Sequence, residues 1–541
     1  MKNIFKTKNL LVAAIIGLFA LASCNSEDFL GTAPRLFRPI IQETSYGGTW
    51  IKLEWDKYSD AKSYQLQLSV DSFKTVFKDV TTEDVSYTFT ELDYDTKYQV
   101  RIKSLGTDIA SEFFVGKDVT TSDYPTKLIT PTSSDVVDVA AKVSWTSSDL
   151  TYSKIDVFKN DTLVKSVPLT DTDNRLNYKI VSGLSPQKTY VMKIYSGSSY
   201  CGKKTYKTTT SENYGTNTVD LRSISDTEAY TKISQTFVDS ICALYPSGVN
   251  VILNGGSVYK IETVQCSRSI SFITGLSLSG KAIMAVNGNF GIASAAETPS
   301  VKFEKIFFTD GTVAGKYKTD ANYGGTYLFN LNQSGAKAQE IGFNNCIIKY
   351  KRGIIRMQTT AQVATVNMTN CVMDSIGGYG VVNNANDASY VGSINIANST
   401  IAHADKVLVC GKALGVNSVT MQNVTTCYTP ANSTSYILDY YKNTIPGGIV
   451  LKNCLFGAGQ DVTLGVCGMR SSCSNITVDK CYRASDLKWY TPDGATAPSA
   501  PISDAIDCGL ATDALFKAPK LSNFAITSSL LVNKIGDPRW W

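Results

Sequence analysis

An all-β chain is predicted, built as two small antiparallel sandwiches followed by a parallel β-helix whose start is closed by a helix. Three observations predict it. A module with one Trp and one Tyr in matching places occurs twice, and a short Asn-bearing strand motif returns at a near-constant period. The composition, with 18% charged residues, 43% hydrophobic residues and 29 tyrosines, is that of a soluble, β-leaning chain. At 541 residues the chain is too long for one compact core, so two to four domains are expected.

The N-terminus reads as a targeting segment. Lys2, Lys6 and Lys8 precede an apolar run from Leu10 to Leu21, too short to span a membrane. Residues 1–23 are therefore read as an export signal. Leu21-Ala22-Ser23-Cys24 resembles the lipobox of bacterial lipoproteins, which implies a lipid on Cys24 and a linker over 24–33. Asn25-Ser26-Glu27-Asp28 resembles the acidic signal that carries Bacteroidetes-type lipoproteins to the outer face of the outer membrane. A plain secretory signal with a coincidental Cys is the alternative. Without residues 1–23 the chain holds 49 basic and 47 acidic residues, so nucleic acid is not an expected partner. The lipid is the one membrane attachment expected.

Residues 34–122 and 125–212 read as two copies of one module. Trp55 and Trp145 lie on alternating strands, and the pairs Leu92/Tyr98 and Leu184/Tyr190 are each six residues apart. A buried Trp, with a Tyr whose hydroxyl ties down a corner between strands, organises a small antiparallel sandwich. The pattern resembles fibronectin type III domains. Their expected role is as spacers, with direct ligand binding the alternative.

After residue 212 the pattern changes. Ser225-x-x-Glu228 reads as a capping box, and Ile233, Phe237, Ile241 and Leu244 recur at helical spacing before Ser247-Gly248 ends the helix. Short strands follow. FNNCIIKY (343–350) returns as VNMTNCVM, SINIANST, SVTMQNVT and IVLKNCLF. Asn345, Asn370, Asn398, Asn423 and Asn453 stand 25, 28, 25 and 30 residues apart. Strands at such a period, without helices, mark a solenoid, so residues 213–541 are read as a parallel β-helix. Stacked Asn amides then bond one another, and Cys346, Cys371 and Cys454 point inward as small apolar fillers, with Ser399 and Val424 substituting. In-register Cβ atoms sit about 5 Å apart, beyond the roughly 3.5–4.5 Å a disulfide prefers, so free ladder thiols are expected. Cys467, Cys473 and Cys481 fall outside that argument and leave room for one bridge; without CxxC pairs or His partners they do not read as a zinc site.

The helix followed by NVILNGGSVYKI resembles the cap and first coil of pectin-lyase-like right-handed β-helices, and the ending through GDPRWW resembles their closing segment. Lipobox, paired modules and β-helix together resemble an uncharacterised group of Bacteroidetes surface lipoproteins found among polysaccharide-utilisation systems. The resemblance implies polysaccharide as partner, association with other glycan-uptake proteins, and a monomer with capped ends. It is specific for architecture, not chemistry. Polygalacturonase motifs Asp-Asp and Gly-His-Gly are absent, and the single Arg-x-Lys, Arg101-Ile102-Lys103, lies in the first sandwich. Recognisable lyase signatures are absent too, so calcium lacks a supporting motif and no cofactor or metal is expected.

A lyase needs a neutralised uronate and a proton acceptor. Lys349, Lys351, Arg352 and Arg356 concentrate suitable groups, and His403, the single His, falls nearby on the ladder count. Lys349 and Asp374 share one ladder position and are expected as vertical neighbours on the rod's outside, with Asp374 a candidate carbohydrate-binding residue. Tyr379, Tyr390, Tyr428, Tyr436, Tyr440 and Tyr441 are candidate sugar-stacking faces. The expected function is a surface lipoprotein that binds an acidic polysaccharide during glycan capture or utilisation. A polysaccharide lyase is the first alternative, ahead of a hydrolase; a structural or adhesive scaffold is the second.

Overall fold

The computed structural model describes residues 36–541 apart from 295, 312–326, 385–387, 411–414, 442, 493–501, 530 and 533. Cys24 and the export segment lie outside the described residues. The chain is all-β, with fibronectin III-like N-terminal sandwiches and a C-terminal β-solenoid of about eight turns. Packing groups it into two compact units. The first holds the residues up to Leu128 with Ser147–Asp156 and Lys193–Lys203, and the second holds Ile129–Thr146, Val157–Met192 and Lys204–Trp541.

In the first sandwich, Ile41–Tyr46, Ile51–Trp55 and Ser86–Phe89 form one antiparallel sheet. Lys78–Thr82, Ser63–Ser69, Lys97–Leu105 and Phe114–Val115 form the other. Alternation sorts the residues: Ile51, Leu53 and Trp55 are buried between the sheets, while Lys52 and Glu54 reach solvent. The Tyr98 hydroxyl accepts the Asp93 N–H at 3.0 Å. The second sandwich repeats both devices, with Trp145 buried and the Tyr190 hydroxyl accepting the Ser185 N–H at 2.9 Å. There Ala140–Ser144 pairs antiparallel with Tyr178–Ser182.

The solenoid opens on two helices where the sequence spacing predicts one. Asp226–Lys232 is capped by Ser225, which accepts the Glu228 N–H; Glu228 turns to Lys232 and does not complete the box. Ser234 caps a second helix, Gln235–Leu244, and interrupts the first at Ile233. Ile233 and Ile241 close the end of the core with Val238 and Cys242, whereas Leu244, expected on that face, is 67% exposed.

From Thr218 to Asp507 the strands join in one parallel array, wound into three stacked sheets. On the first sheet, Phe272, Phe303, Phe343, Met368, Ile396, Met421 and Leu451 form one inward column. The three rings stack at 5.7 and 5.1 Å, with planes within 11° and 17° of parallel. Along the ladder, Asn345, Asn370, Asn398, Asn423 and Asn453 all take left-handed backbone, φ between 49° and 56°. Asn tolerates that conformation better than other residues with a side chain, which is a stronger reason for its recurrence than the amide bonds. Those bonds form only in part. Asn423 donates to Asn398 at 2.8 Å and Asn453 to Asn423 at 3.2 Å, but Asn370 turns to Asn344 while Lys281 takes the Asn345 side-chain oxygen. Cys346, Cys371 and Cys454 lie in the core, and all twelve described cysteines are free thiols.

The last segment does not close the end of the rod as expected. It folds back along the outer face of the second sheet. Leu515, Phe516, Phe524, Leu531 and Ile535 cover Ala402, Cys427 and Leu455. Burial of that apolar strip drives the return. Gly536 approaches so closely that a Cβ would stand 2.5 Å from the Thr425 hydroxyl, and its φ of 76° suits glycine. Asp537 and Trp540 then both bond Thr400, at 2.7 and 2.6 Å.

Candidate functional site

The strand Ile347–Met357 bends from the second sheet to the third, with a register shift between Lys351 and Gly353. The bend divides the residues that the sequence grouped together. Lys349 remains on the second sheet beside Asp374, its register partner on the next coil. Arg352 lies at the bend, and Arg356 faces outward on the third sheet, in register with Asn330 and Asn383.

On the second sheet, Asp374 is the centre of a closed polar cluster. Lys349 Nζ stands 3.1 Å and His403 Nδ1 2.9 Å from its carboxylate, and Ser375 and Ser522 donate hydroxyls at 3.2 and 3.1 Å. Burial alone raises the carboxyl pKa, but the bond from His403 and the charge of Lys349 outweigh it and hold the value down to about 2. Tyr428 stacks on the His403 ring at 5.3 Å and its hydroxyl bonds Asp513. Ser522 and Asp513 both belong to the returning C-terminal segment. Asp374, His403 and Tyr428 therefore bond or stack on one another and on that segment, an arrangement that docks it and leaves Asp374 no free acceptor for a substrate.

Three candidates are corrected outright. Lys351 is 1% exposed and donates to the Val286 carbonyl at 2.9 Å, because the bend turns its side chain inward. Tyr440 is likewise 1% exposed and packs in the solenoid core. Tyr436, 5% exposed, packs with Cys467 and Tyr490. None of the three can meet a polymer. Tyr390 is 40% exposed, beside Gln362 at the edge of the first sheet, apart from the other candidates.

The third sheet carries the open chemistry. The Arg352 guanidinium lies 4.1 Å from the ring centre of Tyr379, and Arg356 lies 4.9 Å from that of Tyr327. The two rings meet edge to face at 5.1 Å. Arg356 Nε is buried and, among the described residues, has no hydrogen-bond partner. Among the described residues, neither Arg lies in an ion pair. Further along the same face, Asp439 and Arg470 are in register and joined by two bonds of 2.9 Å. Arg470 sits 4.6 Å from the Tyr436 ring centre and 4.9 Å from that of Tyr441, which is 53% exposed. Tyr436 is buried, holding Arg470 from below.

Sequence reasoning missed Tyr327, Asn330, Asp439 and Arg470. The ladder count runs along the first and second sheets, and loops of unequal length intervene before the third.

No family model matches the chain, and no curated protein does. Among solved structures, the two-fibronectin-type-III-domain segment of chicken tenascin is 18% identical, covering 32% of this chain and all of its own, with a TM-score of 0.18. The FN1–FN3 domains of chicken CNTN1 are 14% identical, covering 32% of this chain and 66% of their own, with a TM-score of 0.14.

Proposed function

We propose that the chain is a non-catalytic, lipid-anchored surface protein that binds an acidic polysaccharide along the outer face of the third solenoid sheet. The observation that carries the reading is the pair Arg352 and Arg356 laid against the Tyr379 and Tyr327 rings on one outer face. A carboxylated or sulfated sugar supplies oxygens for the guanidinium groups and a C–H face for the half-buried Tyr379 ring, Tyr327 itself being buried beneath. Tyr441 adds an exposed ring about four coils along, on the order of 19 Å at ordinary strand spacing, beside Arg470, whose charge Asp439 already takes up. That spacing suits an extended polymer better than a single sugar.

Catalysis is the weaker reading because its proton acceptors are committed elsewhere. Lys349 and His403 both face Asp374, and Lys351 is buried. The lipid anchor and the surface location rest on the N-terminal sequence alone, through Leu21-Ala22-Ser23-Cys24 and the acidic residues after it. Other glycan-uptake proteins are the natural recipients of a polymer held at such a surface.

Affinity electrophoresis of the chain from Asn25 onward, through gels containing polygalacturonate, alginate or chondroitin sulfate, tests the reading. Retention on at least one, without growth of the ultraviolet absorbance of an unsaturated uronate, is expected. Migration unaffected by all three sinks it, and rising absorbance makes the protein a lyase.

A further inference from the structure

The first compact unit contains a cleft of about 630 Å³, within the roughly 300–1,000 Å³ usual for small-molecule sites, and all of its lining residues belong to that unit. Its walls are tyrosines. Tyr94 and Tyr124 meet edge to face at 5.1 Å, Tyr124 and Tyr200 at 6.4 Å, and Tyr195 and Tyr200 at 6.0 Å. The Tyr94 ring lies on Gly48, where a Cβ would stand 2.1 Å from Cε1, and the Tyr200 hydroxyl donates to Asp123 at 2.5 Å.

The charges in the cleft narrow the ligand. Lys154 Nζ lies 4.6 Å from the Tyr195 ring centre and Lys193 Nζ 5.5 Å from that of Tyr200, so two rings already face a cation of the protein's own. Asp95 is shared by Lys193 at 3.6 Å and Lys203 at 2.5 Å. A ligand cation finds those ring faces taken, and an anionic polymer finds each ammonium beside a carboxylate. What remains is the Tyr94–Tyr124 pair, the exposed Asp93 carboxylate, and the hydroxyls of Ser198 and Ser199. Aromatic surface beside hydroxyl and carboxylate acceptors suits a pyranose, whose C–H face packs on a ring while its hydroxyls donate at the rim.

We propose that this cleft binds a short uncharged saccharide, two or three pyranose units long. The proposal is independent of the solenoid face: it concerns the other unit, and its ligand is neutral where that face requires acid. Saturation-transfer NMR on the chain from Asn25 onward, with maltotriose, cellotriose, xylotriose and mannotriose, is the test. Transfer to at least one is expected, with affinity falling about tenfold in Tyr124→Ala and in Asp93→Asn. The Arg352→Ala/Arg356→Ala variant should bind that trisaccharide as the parent does. Asp93 is exposed, so its variant reports even if Tyr124→Ala fails to fold. The proposal is overturned if no trisaccharide receives saturation, if the Asp93→Asn affinity is unchanged, or if tetramethylammonium displaces the sugar.

Discussion

The guanidinium of Arg352 lies 4.1 Å above the ring of Tyr379, across a bend that carries the chain from one solenoid sheet to the next. The bend decides which of the clustered basic residues can act. It sends Lys351 into the core, leaves Lys349 with Asp374, and delivers Arg352 and Arg356 to an outer face, against the half-buried Tyr379 and the buried Tyr327. A planar guanidinium can stack on a ring and still offer its edge to a carboxylate, which an ammonium cannot do. Arg356→Lys should therefore weaken polymer retention nearly as much as Arg356→Ala, about tenfold, in affinity electrophoresis. Full retention by the lysine variant would show that charge alone suffices.

Asp374 makes native stability fall in acid. Its folded-state pKa, about 2, lies below the ordinary value of 3.8, so the ionised form is the one that folding favours. The contribution, on the order of 2 kcal/mol, is complete above about pH 4 and is lost as pH falls through 2. Thermal unfolding of Asp374→Asn should start lower at pH 7 and show a shallower decline between pH 4 and pH 2 than the parent. Parallel declines would contradict the assignment.

The same carboxylate holds down the C-terminal segment through Ser522. In Asp374→Ala, trypsin should cut after Lys517 or Lys520 several-fold faster than in the parent, while the rest of the solenoid resists. Mass spectrometry of the first fragments reads this directly. Unchanged cleavage would mean that the apolar contacts of Phe516 and Phe524 dock the segment without help from Asp374.

Within the second unit, Arg222 is 5% exposed and paired with Asp138 at 2.8 Å and Asp220 at 2.8 Å. Removing the cation leaves Asp138, itself fully buried, with only the Ser211 hydroxyl at 2.9 Å to face its charge. Arg222→Met should cost about 3–5 kcal/mol, and Arg222→Met/Asp138→Leu should recover much of it. Urea unfolding followed by intrinsic fluorescence compares the two; equal losses would contradict the ion-pair account.

Phe303 sits between Phe272 and Phe343 in the inward column of the first sheet. Phe303→Ala should destabilise the solenoid by about 3–5 kcal/mol, lowering its unfolding midpoint without shifting that of the first sandwich. A loss below about 1 kcal/mol would show that the neighbouring rings collapse into the space.

Much of the architecture was legible because repetition makes sequence local. Trp55, Trp145, Tyr98 and Tyr190 recur with their surroundings, and five Asn residues mark successive coils at one turn. The site was legible only where the ladder count applies, as for Lys349 beside Asp374. Past a bulge the count fails, and nothing in KYKRG tells which Lys turns inward. Tyr440 and Tyr441 are adjacent in sequence, yet Tyr440 ends a strand facing the core and Tyr441 opens the exposed turn after it. Which of the two faces the core depends on a register fixed by strands about thirty residues away, in Cys467–Ser471.

The most direct measurement is affinity electrophoresis of Arg352→Ala/Arg356→Ala beside Lys349→Ala/His403→Ala, on an acidic polysaccharide that retains the parent chain. Loss of retention in the arginine variant, with retention kept in the other, is the predicted result. Loss in the Lys349/His403 variant alone would move the binding face to the second sheet and contradict the account.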